Sequence, residues 1–346
     1  MKLLFSQSAA ARLVFFFVIL NTLVSGLRYS RSNGPSLSMK ALNQQNQASG
    51  PILVVGGTGQ LGRFVVDELS SRGLGPTRCL VRNPTSESAM ALAQIPGVEI
   101  VKGDLTEPED IKAAVTGCKA CICCSGPKRL SRVSDLWRDP AGDRGHPYEV
   151  NFRGVANLAA ALKAAGATKI VRVTGLSVGM SPYSLVPALL NLVISRTVRW
   201  QLAGERAIRA SGLDYTVIRP GALSRDASEA PEGYGLTLAD DGGLPPPPPA
   251  SEIRVGRRDV ARLCADCLAH PNARRATLGA LWSRAEGAPK TWGPLLEEVR
   301  EDRTDLVDKP FLAGVRLLLL AVLGATVSGL ALTSLIVSKI ILAMKK

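Results

Sequence analysis

From Pro51 to about Trp282 the chain alternates short apolar runs with stretches whose apolar residues recur at helical spacing. The first run, Ile52 to Val55, leads into Gly56, Gly57, Gly59 and Gly62, and then into Leu61, Val65 and Leu69 on one helical face. Short unbroken apolar runs read as strands buried on both sides, while a spacing of three to four residues reads as an amphipathic helix. Strands are therefore predicted at 52–55, 77–82, 98–102, 119–124, 168–174 and 214–218, with a weaker one near 277–282. Helices are predicted at 60–72, 86–94, 108–116, 148–165, 188–211 and 257–269. Such alternation requires crossover connections, and hence a parallel sheet covered on both faces. Positions 225–252 interrupt the pattern. They carry five consecutive prolines, Pro245 to Pro249, and are predicted as a surface loop, because proline has no N–H to give to a helix or an inner strand.

The glycines after the first strand have a chemical use. Gly56 permits a tight turn, Gly59 lets the backbone approach a ligand without a Cβ in the way, and Gly62 lets the helix pack close to its strand. Free N–H groups at the helix start, together with the positive end of its dipole, then face an anion. Glycines also punctuate ordinary turns, so the triplet alone says little. Its place between a buried strand and an amphipathic helix makes it a dinucleotide-binding fingerprint. The fold class expected is α/β: a single doubly wound, Rossmann-like domain over 51–285.

The two ends lie outside that domain. Lys2 and Arg12 precede an apolar run from Leu13 to Leu20 and small residues at Ser25 and Gly26, a signal-peptide pattern over 1–26. Positions 27–50 are basic and rich in Ser, Asn and Gln, and the first acid of the chain is Asp67. That composition is transit-like, and a signal followed by a transit segment resembles the leader of proteins sent to complex plastids. The alternative is secretion, to the endoplasmic reticulum or a later membrane, with a disordered leader. After a linker over 286–312, Leu317 to Val337 is a run of 21 residues without a charge. At ~1.5 Å per residue it would extend about 31 Å, so a transmembrane helix is expected over 313–338 with a basic tail at 339–346.

The net charge of +13 draws heavily on these ends. Aromatic residues are only 5%, and no basic stripe interleaved with aromatics occurs, which disfavours a nucleic-acid partner. Of the seven cysteines, Cys121, Cys123 and Cys124 fall in a predicted buried strand, where neighbours face opposite ways, and Cys264 and Cys267 fall in a predicted helix. No metal site is expected, with zinc or a disulfide as the lesser alternative.

Specificity is addressed by the second strand, which ends in Cys79-Leu80-Val81-Arg82-Asn83-Pro84. A domain preferring NAD usually has an acid there for the ribose hydroxyl. Here Arg82 stands in its place and Arg63 follows the last glycine, so a 2′-phosphate, and hence NADP, is expected over NAD.

Several motifs in order give a family resemblance. Gly-Gly-Thr-Gly-Gln-Leu-Gly-Arg at 56–63, Leu-Val-Arg-Asn-Pro at 80–84, Lys-Gly-Asp-Leu at 102–105, Glu-Val-Asn-Phe-Arg-Gly-Val-Ala-Asn-Leu at 149–158, Ser-Gly-Leu-Asp-Tyr-Thr-Val-Ile-Arg-Pro-Gly at 211–221 and Arg-Asp-Val-Ala at 258–261 are similar to the NmrA-like branch of the atypical short-chain dehydrogenase/reductases, with plastid members the most alike. The resemblance implies that Gly56, Gly57, Thr58, Gly59, Gln60, Leu61 and Gly62 hold a pyrophosphate. Arg82, with Arg63, would meet the 2′-phosphate, and Asp104 and Leu105 would flank the adenine. Ser125 and Gly126 would line the ribose, and Thr174 would sit near the nicotinamide. Asp104 has a second reading, as a turn cap.

Redox members of the wider superfamily use a tyrosine assisted by a lysine four residues on, which lowers the phenol pKa and holds the ribose. Ser177 and Tyr183 are the corresponding catalytic candidates, yet Pro187 stands four residues past Tyr183, and no lysine occurs between Arg172 and Arg219. Plastid relatives carry Trp-Lys where this chain has Trp200-Gln201. Two functions follow from the resemblance. One is an NADP-dependent oxidoreductase at a membrane acting on a small molecule. The other is a catalytically weak or inactive NADPH-binding scaffold for a plastid membrane complex.

Overall fold

In the computed structural model the described residues are 50–127, 129–132, 135, 140–224, 228–245, 253–321 and 323–324. Ten strands and eight complete α-helices are ordered along them, ahead of a further helical stretch that begins at Phe311. The strands are β1 (Ile52–Val55), β2 (Thr77–Val81), β3 (Val98–Lys102), β4 (Ala120–Cys123), β5 (Lys169–Val173), β6 (Asp214–Pro220), β7 (Ala222–Leu223), β8 (Gly235–Ala239), β9 (Arg254–Val255) and β10 (Ala276–Ser283). The helices are α1 (Gly62–Ser71), α2 (Glu87–Ala93), α3 (Pro108–Val115), α4 (Gly154–Ala164), α5 (Leu185–Val193), α6 (Thr197–Ala210), α7 (Arg257–Ala269) and α8 (Gly293–Leu296).

The main sheet has the order β3-β2-β1-β4-β5-β6-β10-β8, parallel throughout except for β8. Successive side chains of β1 face opposite layers, as a period of two requires. Ile52 and Val54 pack with Val65, Leu69 and Val260 from α1 and α7, whereas Leu53 and Val55 pack with Ile111, Leu158 and Leu162 from α3 and α4. The predicted doubly wound α/β sheet is thus present. Strand order reverses between β1 and β4, and in open sheets of this kind ligands bind beyond the carboxyl ends of the strands at that point.

Three expectations need correction. The insertion predicted as loop contributes β8, which pairs antiparallel with β10 in the register Gly279↔Ala239 to Ser283↔Gly235. Its apolar residues number too few for the strand to announce itself, and the prolines that dominate the composition lie beyond it. The single helix expected at 188–211 is two: α5 ends at Val193 and α6 begins at Thr197, and between them Ser195 and Arg196 take left-handed φ values of 46° and 61°.

The transmembrane helix at 313–338 is the third. Helical residues occupy 311–321 and 323–324, and among the described residues no helix is long and apolar enough to cross a membrane. Its first turns are bound to the domain. Phe311 is buried with Val178, Val198 and Leu202, and a Cβ on Gly314 would stand 1.9 Å from the Pro182 carbonyl oxygen. These packing residues precede the uncharged run, whose described leucines Leu317, Leu319, Leu320 and Leu323 are exposed. Positions 325–346, the signal pattern at 1–26 and the leader at 27–49 lie outside the described residues. The stretch expected as linker also packs inward. Trp292 is 1% exposed and donates its indole N–H to the Asp259 carbonyl, and Asp302 accepts from Tyr215, Thr277 and Arg209.

Candidate functional site

A cavity of about 450 Å³ opens where β1, β2 and β4 end. Gly56, Thr58 and Gly59 form one wall, Arg82, Asp104 and Leu105 another, and Ser125 and Gly126 a third. Eight residues predicted from four separate stretches thus meet at one place. Gly57, Gln60, Leu61, Gly62 and Arg63 shape the turn from behind or beside it. A Cβ at Gly62 would stand 2.1 Å from the Gly56 carbonyl oxygen, one at Gly59 would stand 3.0 Å from the same atom, and Gly56 has φ +85°. These are positions that only glycine fills without displacing backbone. The Gly59 N–H closes the turn on Gly56 O at 2.9 Å, and among the described residues the amides of Thr58, Gln60 and Leu61 find no main-chain acceptor. Arg257 of α7 holds the Gln60 side chain at 2.9 Å, and Arg63 is exposed.

Charge around the cavity is lopsided. Among the described residues Arg82, Arg129 and Arg144 line it, with Asp104 as its one acid. Asp104 is partly committed, because its Oδ1 accepts from the Thr106 N–H and hydroxyl while its own N–H donates to Asp110. Turn cap and cavity wall are therefore both true of it. Arg129 and Arg144 carry no sequence motif, and the chain path alone brings them here. Arg144 is 2.6 Å from Glu107, and Arg129 is 2.5 Å from Asp135.

Beneath this cavity lies a buried polar layer that local sequence reading also missed. Arg172 of β5 is 1% exposed and reaches the carbonyl oxygen and hydroxyl of Ser125 at 2.9 Å, Cys123 Sγ at 3.1 Å and Asn151 Oδ1 at 3.2 Å. It fixes the end of β4 from below. The hydroxyl of Thr174 donates to Glu205 Oε1 at 2.7 Å, and Glu205 pairs with Arg219 at 2.5 Å. The helical pairing of Glu205 with Arg209, the simplest local reading, is not made; Arg209 pairs with Asp302 at 2.7 Å.

The catalytic candidates are elsewhere. Ser177 lies in a short 3₁₀ turn at Leu176–Val178, near Gln201: a Cβ on Gly175 would be 3.8 Å from Ser177 Oγ and 4.0 Å from Gln201 Oε1. Tyr183 is 58% exposed and does not line the cavity. A lysine does reach this region, from outside the interval between Arg172 and Arg219. Lys309 Nζ donates to the carbonyls of Val178, Gly179 and Met180 at 3.0–3.2 Å, which uses all three of its protons. Burial, and then the nearby Arg219, pull its pKa down. All seven cysteines are free thiols, and no cluster of three metal-ligating side chains occurs among the described residues.

Known proteins place this geometry. A family model described as NAD(P)H-binding matches residues 56–271. At the sequence level the chain is 32% identical over 180 residues to an uncharacterised chloroplastic protein of Arabidopsis thaliana, covering 51% of this chain and 60% of that one. It is 28% identical over 260 residues to the chloroplastic protein TIC 62 of Arabidopsis, covering 67% of this chain and 38% of that one. It is also 33% identical over 168 residues to the photosystem II assembly factor Ycf39 of Cyanophora paradoxa, covering 49% and 44%. These matches span between about two fifths and three fifths of the relatives' own lengths. Among solved structures, a putative NAD-dependent epimerase/dehydratase from Bacillus halodurans superposes with a TM-score of 0.53 at 21% identity, over 72% of this chain and all of that one. The chain belongs to the NAD(P)H-binding family, as an atypical short-chain dehydrogenase/reductase of the NmrA-like, plastid type.

Proposed function

We propose that this protein binds NADP(H) in the cavity beyond β1, β2 and β4, and that it works in a plastid. The observation that carries the reading is the position of Arg82, which lines the same cavity as the glycine turn and gives it, among the described residues, three guanidinium groups and one carboxylate. The residues present fit the group. A turn that excludes Cβ atoms and leaves the amides of Thr58, Gln60 and Leu61 without a main-chain acceptor among the described residues suits a pyrophosphate, and an arginine at the end of the second strand suits a 2′-phosphate. In the proposed pose the amides of the glycine turn take the pyrophosphate, Arg82 and Arg63 the 2′-phosphate, Asp104 and Leu105 the adenine side, and Ser125 and Gly126 the ribose, with Thr174 towards the nicotinamide. When bound, the dinucleotide supplies hydride chemistry. Chloroplastic relatives support the compartment.

Whether the bound dinucleotide turns over divides two readings. In the first the protein is an oxidoreductase acting on a small molecule. In the second it binds NADPH without efficient turnover and serves as a scaffold or assembly factor. Tyr183, exposed and without a partnering lysine, favours the second, as does a Lys309 whose protons are all given to main-chain carbonyls. Titration of the full chain with NADPH and NADH tests the shared core. NADPH binding about tenfold tighter than NADH is expected, the value of one good charge-assisted contact. Failure of both to bind at millimolar concentration overturns it. A screen of NADPH oxidation against quinones and aldehydes then separates the two readings.

A further inference from the structure

A second cavity, of about 300 Å³, lies where the segment after β4, the break between α5 and α6, and the C-terminal helix come together. None of its lining residues lines the cavity at the glycine turn. Leu192, Leu312, Val315 and Leu319 give it an aliphatic wall, while Arg132, Arg196 and Arg316 bring three guanidinium groups to the same lining. Among the described residues its one carboxylate, Asp135, is already engaged. Arg129 reaches Oδ1 at 2.5 Å, and the Arg132 N–H and Ser195 hydroxyl reach Oδ2 at 2.8 and 2.9 Å. Burial would raise the Asp135 pKa, but these donors outweigh it and hold the carboxyl below its ordinary value. Arg132 is also 3.7 Å from Asp143, which stands 3.8 Å from Arg129. Among the described residues the acids nearby are thus shared between arginines.

Three further observations point to a ligand. Asn191 is 3% exposed and its Oδ1 accepts the Arg199 N–H at 3.1 Å. That bond fixes which end of the amide is oxygen, and it leaves the buried Nδ2 with no partner in a residue that lines the cavity. An orphaned buried donor is costly, and a ligand oxygen would relieve it. Secondly, the pKa of Arg196 is pulled down, by burial first and then by Arg199 beside it. Asp135 offsets part of that repulsion, and an anion in the cavity would offset more of it. Lastly, Ser195 and Arg196, both lining residues, hold left-handed φ values that non-glycine residues adopt at a cost. The strain places Arg196 at the mouth instead of continuing one long helix past it.

We propose that this cavity binds a small amphiphilic anion: an apolar body carrying one carboxylate or phosphate. The body lies against Leu312, Val315 and Leu319, and the head meets Asn191 Nδ2 and the arginines. The volume sits at the low end for small-molecule sites, which suits a single short chain. The occupant is a free molecule, because the lining is a concavity and not a flat face. The inference stands independently of the dinucleotide reading.

Isothermal titration of the full chain tests it, with dodecanoate below its micellar concentration as probe. Dodecanol carries the same tail without charge, inorganic phosphate supplies an anion without a tail, and phosphatidylglycerol vesicles present the anion in a bilayer. Saturable one-to-one binding of dodecanoate is expected, about tenfold tighter than dodecanol, with no measurable heat from phosphate. R132Q/R316Q changes two exposed residues. It should bring dodecanoate down to the level of dodecanol while leaving dodecanol binding and thermal stability in place. L319W, which adds bulk at a partly exposed wall position, should weaken both ligands. Equal affinity for dodecanoate and dodecanol, absence of saturable binding, or an unchanged R132Q/R316Q would each overturn the proposal. Binding to vesicles without binding to monomeric dodecanoate would overturn it too, and would make this face a lipid contact.

Discussion

The carboxylate of Glu205 on α6 and the guanidinium of Arg219 on β6 meet at 2.5 Å, and neither side chain is more than 2% exposed. Arg219 also donates to the Gly242 carbonyl, and Glu205 accepts from Thr174, so the pair ties α6, β6, the end of β5 and the turn after β8 together. Removing one partner strands the other's charge in a poorly solvating interior. E205Q or R219M should cost about 3–5 kcal/mol, whereas the apolar double variant E205L/R219M should cost less than the sum of the singles. Urea denaturation of the four proteins measures it. Additive losses would mean that the two side chains do not act as a unit.

Arg82 is the residue on which dinucleotide choice rests in the proposed reading. R82A removes a contact that NADPH has and NADH lacks. Its expected effect is a loss of about tenfold in NADPH affinity with NADH affinity little changed. Calorimetry with both dinucleotides reads the ratio directly, and an equal loss for both would move the 2′-phosphate away from Arg82.

Two glycines in the same neighbourhood should respond oppositely to an added methyl. In G62A the new Cβ would stand 2.1 Å from the Gly56 carbonyl oxygen, so the turn must open. A stability loss of about 3 kcal/mol, the upper end of overpacking costs, should accompany loss of dinucleotide binding. In G126A the Cβ has nothing within 4 Å, and stability should change by less than about 0.5 kcal/mol.

Lys169 gives a pH signature. Its Nζ donates to the Ala273 carbonyl at 3.0 Å, and burial pulls its pKa down to about 8. Between pH 8 and the ordinary lysine value of about 10.4, the unfolded chain then holds a proton that the folded chain has released. Folding stability should therefore rise with pH across that window relative to K169M, which has no proton to lose. The difference should be on the order of 1–3 kcal/mol by denaturant titration at pH 7 and pH 10. A difference between the two proteins that stays flat with pH would show the ammonium to be effectively solvated.

The sequence alone determined those features whose cause is local. Short apolar-rich stretches were enough to place β1 to β6, and glycines between a strand and a helix to place the turn, because chain stereochemistry at Gly56 and Gly62 depends on nearby residues. Motif order was enough to bring Arg82, Asp104 and Ser125 to one cavity, since a doubly wound sheet delivers its strand ends to one edge. Features made by residues far apart in the chain were decided only by tertiary structure. Glu205 has a plausible partner four residues away and takes Arg219 instead, because both are buried where only a full pairing offsets desolvation. Lys309 reaches the loop after β5 from a stretch that reads as linker, and Asn191 is left with an orphan amide by a helix break that no proline or glycine announces. The apolar run near the C-terminus is the clearest case. Hydrophobicity records only that a surface avoids water, and the structure packs Phe311 and Gly314, just ahead of that run, on the protein while Leu317, Leu319, Leu320 and Leu323 stay exposed.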